Sequence, residues 1–238
     1  MTSPPADVPS KFVRVWDLPT RLFHWTLVAL ILISWFTGEG EGGTASIHRY
    51  AGESIAGLIV FRVLWGFIGG EHARFSDFAA GPATIVAHVR DLFSKSPKRH
   101  LGHNPVGGVA VFLLLINVTV IVTTGLFSAG DNNAGPFAGR WGLQLSEAHE
   151  IAFRALQALV AVHIVGVVVE SLKTRDALIP AMITGLKRRH TDQAAGNARR
   201  GGPAALIIAI VLALATTIAL ASIPPSKLAE SERDQQAD

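Results

Sequence analysis

Residues 149–172, HEIAFRALQALVAVHIVGVVVESL, decide the fold class of this chain. The stretch is mostly apolar and long enough for a helix to cross the hydrocarbon core of a bilayer, which takes roughly 20 residues. It carries two histidines, His149 and His163. At about 100° and 1.5 Å per residue, their side chains point within roughly 40° of each other and lie about 21 Å apart along the helix axis. One membrane helix is therefore predicted to offer an imidazole near each surface of the bilayer.

Four more blocks of the sequence have the same character. The chain is 49% hydrophobic and 16% charged, whereas soluble domains carry about 25% charged residues. Backbone groups in lipid must form their hydrogen bonds within their own segment, so each block is predicted to be a helix. The expected fold is an all-α integral membrane helical bundle, with a four-helix core and a fifth, C-terminal transmembrane helix. The other predicted helices span about residues 18–36, 48–68, 106–127 and 203–223.

The first block has a competing interpretation as a cleavable signal peptide, because Lys11, Arg14 and Arg21 precede its uninterrupted apolar run. No small-residue cleavage site follows before Gly38, so a retained membrane anchor is predicted. Pro19 is tolerated in a first helical turn, which supports a helix that begins at residue 18.

Basic residues are distributed unequally between the two sides of the predicted bundle. The segments 1–17, 69–105 and 173–202 lie on one side, and together with Arg21 they carry 15 of the 21 Lys and Arg residues. The other side has Arg140, Lys227 and Arg233. The positive-inside rule predicts a multi-pass protein whose N-terminus is cytoplasmic and whose C-terminus lies across the membrane. The net charge of +3 needs no nucleic-acid partner, because basic clusters beside membrane helices contact water or lipid headgroups.

Two features lie outside the transmembrane blocks. Apolar residues recur with near-helical spacing over residues 77–93, which predicts a short amphipathic helix on the cytoplasmic face. Residues 226–238 are polar and are expected to fray. We divide the chain into a four-helix unit, residues 1–190, and a C-terminal unit, residues 191–238, that contains a linker, the fifth helix and a polar tail.

The chain contains no cysteine. Disulfides, thiolate-bound iron–sulfur clusters and thioether-attached haem are therefore excluded. Any metal or cofactor must be held by histidine or oxygen ligands.

Four of the nine histidines fall in the predicted helices, where ionisable groups are costly and usually serve a function. His24, near the cytoplasmic end of the first helix, matches His163 in depth, and His48, at the opposite end of the second helix, matches His149. Two b-type haems are predicted, one held by His24 and His163 and the other by His48 and His149. Both axial positions of each iron would be filled, which favours electron transfer over oxygen binding.

Other interpretations of these histidines stay open at this point. A histidine in a membrane helix also serves as a hydrogen-bonding group between helices. A haem-free multi-pass transporter or membrane scaffold would use such groups as polar relays. A site for one metal ion fits less well, because paired ligands separated by the thickness of the membrane do not converge on one ion.

Three arginines are candidate contacts for haem propionates. Arg62 follows His48 by fourteen residues and shares its helix face, in the cytoplasmic third of the membrane. Arg49 and Arg154 lie beside His48 and His149 at the opposite end. Snorkelling to the headgroups also explains such arginines. Small residues near the histidine faces either admit a flat macrocycle or serve close helix packing; they are Gly52, Gly57, Gly66 and Gly166.

Several short motifs carry more information than hydropathy alone. They are VWDLPTRLFHW at residues 15–25, HRYAG at 48–52, RVLWGF at 62–67 and HARF at 72–75. Together with the histidine pair of the fourth helix, they resemble the bacterial cytochrome b561 and nickel–iron hydrogenase cytochrome b family. The resemblance extends over roughly residues 11–189.

Members of that family are di-haem subunits of the bacterial inner membrane, and the resemblance implies the same location here, with a periplasmic C-terminus. It implies two haem b cofactors held by the four helical histidines and electron transfer between quinone or quinol and a partner across the membrane. The partner is expected to be a periplasmic cytochrome c, a hydrogenase or another dehydrogenase subunit. The fifth helix lies outside the family's four-helix unit, which leaves that choice open. His72, Arg74 and Glu71 are conceivable quinone contacts, although a plain loop also explains them.

Overall fold

Long helices dominate the computed structural model, which describes residues 12–40, 42–95, 97–128, 134–138, 144–188 and 197–224. The elements in chain order are β1 (Phe12–Arg14), α1 (Leu18–Thr37), α2 (Gly43–Ile68), a 3₁₀ turn (Glu71–Ala73), α3 (Phe75–Phe78), α4 (Pro82–Leu92), α5 (Pro105–Leu126), α6 (Ser146–Thr174), α7 (Leu178–Thr184), β2 (Leu186–Arg188) and α8 (Pro203–Ala221).

Five of the described helices, α1, α2, α5, α6 and α8, are long and apolar enough to cross a membrane. They confirm the predicted all-α integral membrane helical bundle, and four of them begin within about three residues of the predicted start. The exception is α2, which begins at Gly43 instead of residue 48. Gly42 precedes the first turn with a φ of 57°. This value is not helical, so α2 cannot extend further towards the N-terminus. His48 consequently lies in the second turn of α2 and not at its first residue.

Local sequence signals explain where three of these helices begin. The side chain of Asp17 accepts a hydrogen bond from the Thr20 backbone N–H at 2.9 Å, and Asn104 accepts one from Gly107 at 2.6 Å. Each bond satisfies an N–H group that has no partner within the helix. Prolines occupy the first turns of α1, α5 and α8, where their missing N–H costs no hydrogen bond.

The centre of the bundle is a layer of aliphatic side chains. Ile55, Ile59, Val118 and Leu156 are buried there, from α2, α5 and α6, and Leu27, Leu30 and Ile31 of α1 pack against them. Helix α2 is the most enclosed of the five: 56% of the residues in its apolar 18-residue stretch are buried, compared with 6% to 11% for the other four helices. The apolar layer separates the two ends of the bundle at which the helical histidines lie.

Helix α8 packs on α2 through small residues. An added Cβ at Gly57 would lie 2.6 Å from the carbonyl oxygen of Ala213 and closer still to Oγ1 of Thr217. Near the same contact, Ala209 is fully buried with Phe61 and Trp65. Gly57 therefore serves close helix packing, one of the two roles predicted for it.

The segments that precede α1, connect α2 to α5 and connect α6 to α8 contact one another at one end of the bundle. Strands β1 and β2 pair antiparallel, with Val13 opposite Lys187, and the backbone N–H of Ala198 donates to the carbonyl of Arg14. This short ribbon was not predicted, because neither strand has a hydrophobic repeat of its own. The contacts place the three predicted basic segments on a common face.

The predicted amphipathic helix over residues 77–93 is present but shorter, as α4. Residues 79–81 interrupt the helical backbone, and α4 starts at Pro82 after an extended Gly81. Asp77 and Phe78 belong instead to the separate turn α3. The proposed boundary at residue 190 and the polar tail 226–238 lie outside the described residues.

Candidate functional site

The histidines at the end of the bundle away from the basic segments form a direct pair. His48 of α2 and His149 of α6 have ring centroids 6.2 Å apart and ring planes at 77°. Both side chains are partly buried. The structure thus brings together the two residues that were matched by depth in the sequence.

Backbone carbonyls orient both rings of the pair His48 and His149, which we call the outer pair. Nδ1 of His48 donates to the carbonyl of Ser34 at 2.9 Å, and Nδ1 of His149 donates to the carbonyl of Ile121 at 2.9 Å. A proton on Nδ1 leaves Nε2 with its lone pair, which is the form of histidine that binds a metal. Carbonyls of two neighbouring helices therefore hold both imidazoles in the tautomer whose Nε2 carries a lone pair.

The second pair, which we call the inner pair, consists of His24 of α1 and His163 of α6. It lies at the end of the bundle next to the basic segments. Nδ1 of His24 is buried and has no hydrogen-bond partner among the described residues, and the ring stands edge-on to Trp25 at 4.9 Å between centroids. His24 thus lacks the orienting carbonyl that each ring of the other pair has.

Arg62 is the one buried cation among the three predicted arginines. It is 4% exposed, donates from Nη1 to the carbonyl of Ala73 at 3.1 Å, and its guanidinium carbon lies 4.9 Å from the ring centre of Phe75. Among the described residues it has no ion pair with a carboxylate within 4 Å. Its contacts with Ala73 and Phe75 place Arg62 against the connection between α2 and α5, at the end of the bundle that carries the basic segments.

Arg49 and Arg154 have different surroundings, although both lie near the outer pair in sequence. Arg49 is 3.6 Å from the buried carboxylate of Glu53 and donates to the carbonyl of Ile223 at 3.3 Å. Arg154 is 70% exposed and pairs with Glu150. Both guanidinium groups thus have carboxylate partners within the protein.

Comparison with known protein families shows to which family this chain belongs. The family model described as prokaryotic cytochrome b561 matches residues 15–185, which is most of the chain and includes all four helical histidines. The chain belongs to the prokaryotic cytochrome b561 family. It is therefore a multi-pass membrane cytochrome of the b type that acts in electron transfer. This membership favours the predicted cytochrome over the predicted haem-free transporter or scaffold.

Curated relatives match this cytochrome b561 chain over most of their own length. A probable Ni/Fe-hydrogenase B-type cytochrome subunit of Azotobacter vinelandii is 28% identical over 76% of this chain and 90% of its own. Subunits with the same printed name are 25% identical in Rhizobium leguminosarum, over 73% of this chain and 87% of theirs, and 24% identical in Rhodobacter capsulatus, over 76% and 83%. No solved structure matches the chain.

The donor set fits the haem b that the cytochrome b561 family implies. Two metal–nitrogen bonds of about 2 Å, plus the distance from nitrogen to ring centre on each side, separate two imidazole centres by roughly 6 Å, and the outer pair is 6.2 Å apart. Among the described residues, no group of three or more His, Cys, Asp or Glu side chains could hold a metal ion. Paired imidazoles alone suit a macrocycle that supplies the remaining ligands itself.

Two of the four predicted glycines have space beside them. An added Cβ at Gly52 or Gly166 would meet no other protein atom within 4 Å, whereas one at Gly66 would lie within 3 Å of the Phe75 ring. Gly52 follows His48 by four residues and Gly166 follows His163 by three, so each lies on the face of a histidine. These two positions are the ones compatible with a flat group beside the ligands.

The predicted loop residues Glu71, His72 and Arg74 all have partners within the fold. Glu71 accepts from the backbone N–H of Arg199 at 2.9 Å, and this bond lowers the pKa of its carboxyl group. His72 contacts Asp77 at 2.8 Å, and Arg74 donates to the carbonyl of Gly69 at 2.9 Å. Their contacts are those of a structured loop.

A partly buried histidine that precedes α5 was missed in the sequence. His103 precedes α5, and its ring centroid lies 4.6 Å from those of Trp16 and Phe78. Its Nδ1 has no hydrogen-bond partner, and burial lowers the pKa of His103 to about 3. No periodic pattern includes this residue, because it lies in a connection between helices.

His88 is a second missed residue, and here a signal existed. It shares the helical spacing of Ile85 and Leu92, which places it on the apolar face of α4. The structure buries it with its Nε2 at 3.6 Å from the carboxylate of Glu170, and its ring lies 5.1 Å from that of His100. The polar pair fastens α4 to the end of α6.

Proposed function

We propose that this chain is a di-haem cytochrome b that carries electrons across the bacterial inner membrane between quinone and a redox partner. The observation that carries the proposal is the outer pair, His48 and His149, whose spacing and hydrogen bonds suit one bis-histidine iron. His163 lies on the same face of α6 about 21 Å further along. A second iron held by His163 and His24 follows from the same reasoning.

Each bound haem would supply reversible one-electron chemistry of its iron. The residues of the chain hold the ligands in place. Ser34 and Ile121 fix the tautomer and ring direction of the outer pair, and the layer around Ile55, Val118 and Leu156 excludes water between the two sites. With two histidines bound to each iron, no ligand position would remain for oxygen, so electron transfer is the chemistry that these residues would favour.

Arg62 is proposed as the contact for a propionate of the inner haem. A buried guanidinium with only one carbonyl acceptor retains free N–H donors that match a carboxylate. Arg49 and Arg154 were the corresponding prediction for the outer haem, and they stay candidates there. Their existing pairs with Glu53 and Glu150 make them weaker ones than Arg62.

We place the face that carries the basic segments in the cytoplasm, because loops rich in Lys and Arg are retained there. The inner pair is then cytoplasmic, and the outer pair and the C-terminus are periplasmic. Curated relatives are named as hydrogenase cytochrome subunits, so a hydrogenase is the partner that we propose first. A periplasmic cytochrome c or another dehydrogenase remains the alternative, and quinone or quinol is the proposed substrate.

Haem quantification on single-histidine variants tests this proposal. The purified wild-type chain is expected to contain two haems b, and His24→Ala, His48→Ala, His149→Ala and His163→Ala are each expected to lose about half of them. His72→Ala is the matched control, since its ring already contacts Asp77, and it should keep both. Full haem content in all four helical variants would refute the ligand assignment.

The quinone and partner assignments need a functional assay. The wild-type chain in liposomes should be reduced by a soluble quinol analogue, and reoxidised when the quinone or a hydrogenase-linked acceptor is added. A chain that keeps both haems but exchanges no electrons with quinols would contradict the quinone assignment alone. Copurification with hydrogenase subunits from native membranes separates the hydrogenase from the other partners.

A further inference from the structure

A groove between α1, α2 and α8 opens on the outside of the bundle and has no place in the proposed electron path. Its volume is about 680 Å³. Its walls are apolar, with Leu22 of α1, Phe61 and Trp65 of α2, and Leu206 and Ile210 of α8. The fifth helix supplies one entire wall, so a four-helix bundle would lack this groove.

The mouth of the groove is basic. Arg14, Arg21 and Arg200 line it at the level where α1 and α8 begin. The one acidic residue in the lining, Asp17, is already engaged, because its carboxylate accepts hydrogen bonds from Thr20 and from Nε1 of Trp65 at 3.1 Å. Three arginines against this one aspartate leave the lining with a net positive charge.

Two of the three arginine side chains have no partner in the described part of the chain, and the third keeps an unused donor. Among the described residues, the guanidinium groups of Arg14 and Arg200 have no hydrogen-bond or ion-pair partner within the protein. Arg21 donates to the carbonyl of Ile183, while its buried Nε has no partner. Guanidinium groups bind phosphate oxygens through paired N–H donors.

The depth of these groups matches the layers of a bilayer. α1 and α8 both enter the membrane at this end, so the arginines lie at the headgroup level and the apolar walls lie beside the acyl chains. Basic recesses between transmembrane helices on the cytoplasmic side bind anionic lipid headgroups. We propose that the groove binds an anionic phospholipid, with its phosphate on Arg14, Arg21 and Arg200 and an acyl chain against α8.

A quinone is a poorer occupant of this groove. Its headgroup is neutral and gains little from three guanidinium groups. The groove also lies on the wrong side of α1, because Leu22 and His24 are two residues apart and point about 160° away from each other. The helix backbone thus separates the groove from the inner histidine pair, and the lipid proposal does not depend on haem number or substrate.

Native mass spectrometry of the purified chain in mild detergent tests the proposal, with phosphatidylglycerol, cardiolipin and phosphatidylcholine as probes. Phosphatidylglycerol and cardiolipin should bind at concentrations at least tenfold below the concentration at which phosphatidylcholine binds. The double variant Arg14→Gln with Arg200→Gln should reduce that preference about tenfold. Ile210→Trp, which narrows the groove and leaves the arginines in place, should weaken retention of all lipids at this site.

The matched control is Arg90→Gln with Lys95→Gln, which removes the same charge from exposed positions on the same face. It should bind lipid as the wild type does. Haem content and melting temperature report whether each variant is folded. Equal binding of the three lipids, equal loss in both double variants, or an isoprenoid quinone as the molecule displaced by Ile210→Trp would overturn the proposal.

Discussion

Gly125 of α5 lies directly against the imidazole of His149: an added Cβ at Gly125 would lie 3.0 Å from Cε1 and 3.2 Å from Nδ1 of that ring. A larger residue must displace the ring and lengthen the bond from Nδ1 to Ile121. We expect Gly125→Val to lower the occupancy of the outer haem, and to cost about 1–3 kcal/mol of stability through overpacking.

Haem content and a redox titration measure this effect. The redox titration of the wild type should contain one component for each haem. In Gly125→Val the component of the outer haem should decrease or shift in potential, while that of the inner haem keeps its potential. Gly43→Val is the control, because an added Cβ at the start of α2 meets no atom within 4 Å. Identical titrations for wild type and Gly125→Val would show that His149 does not hold the outer haem in this orientation.

Gly166 and Gly57 should respond to substitution in opposite ways. Gly166 has open space beside it, whereas an added Cβ at Gly57 would collide with α8. Gly166→Leu is expected to lower inner haem occupancy with little change in the stability of the haem-free chain. Gly57→Ala should keep haem content and lower the melting temperature by roughly 5 °C.

Absorbance of the reduced haems and thermal melting in detergent separate these outcomes. If Gly166→Leu retained both haems, the flat group would not lie on that face of α6. A Gly57→Ala chain as stable as wild type would mean that α8 shifts without cost.

Arg49 and Arg154 provide a matched pair of ion-pair deletions. Glu53 is 2% exposed, and Arg49 is its ion-pair partner at 3.6 Å. Neither of its carboxylate oxygens has a hydrogen bond within the part of the chain that the structure describes. Removing Arg49 leaves a buried carboxylate without a counter-charge, which costs about 3 kcal/mol. The Arg154 pair is exposed, and its removal should change stability by less than about 0.5 kcal/mol.

Thermal melting of Arg49→Gln and Arg154→Gln should therefore show a large decrease for the first and almost none for the second. Adding Glu53→Gln to Arg49→Gln should restore most of the loss, since the unpaired charge is then absent. Equal effects of the two arginine variants would show that Glu53 is hydrated or protonated in the folded chain.

His103 should make stability depend on pH. Its folded pKa is lowered to about 3, and the usual value is 6.5. Between these values the unfolded chain binds a proton that the folded chain does not, so stability is lost as pH falls below about 6.5, by up to about 1.4 kcal/mol per pH unit for one group.

Melting temperatures at pH 5.0 and pH 7.5 measure this dependence. The wild type should melt at the lower temperature at pH 5.0, and His103→Gln should show a smaller difference between the two pH values. His72→Gln serves as the comparison, because His72 lies nearby on the same face. An unchanged pH dependence in His103→Gln would assign the effect to other buried groups such as His100, whose pKa burial also lowers.

The sequence was sufficient to predict the features that depend on one helix at a time. Hydropathy located the five helices, and the 100° rotation per residue placed His149 and His163 on one face. Depth matching then paired His48 with His149, and the structure places those rings together. The assignment of all four histidines as haem ligands, and the roles of the three arginines, stay predictions.

Features that depend on contacts between distant segments could not be predicted from periodicity. The ribbon of β1 and β2 joins Phe12 to Arg188 through three-residue strands that have no pattern of their own. Gly57 had two interpretations, and only the position of Thr217 and Ala213 decides between them. The same limit applies to His103, whose burial depends on Trp16 from a segment far away in the chain.

Helix α8 also changes the topology of the chain as a whole. Four crossings return a polypeptide to the side from which it started, whereas a fifth carries it over again. With all five helices across the membrane, as we propose, the start of α1 and the end of α8 would face different aqueous compartments, whichever way the bundle is inserted. A soluble protein that binds beside the start of α1 would then not compete with one that binds beside the end of α8.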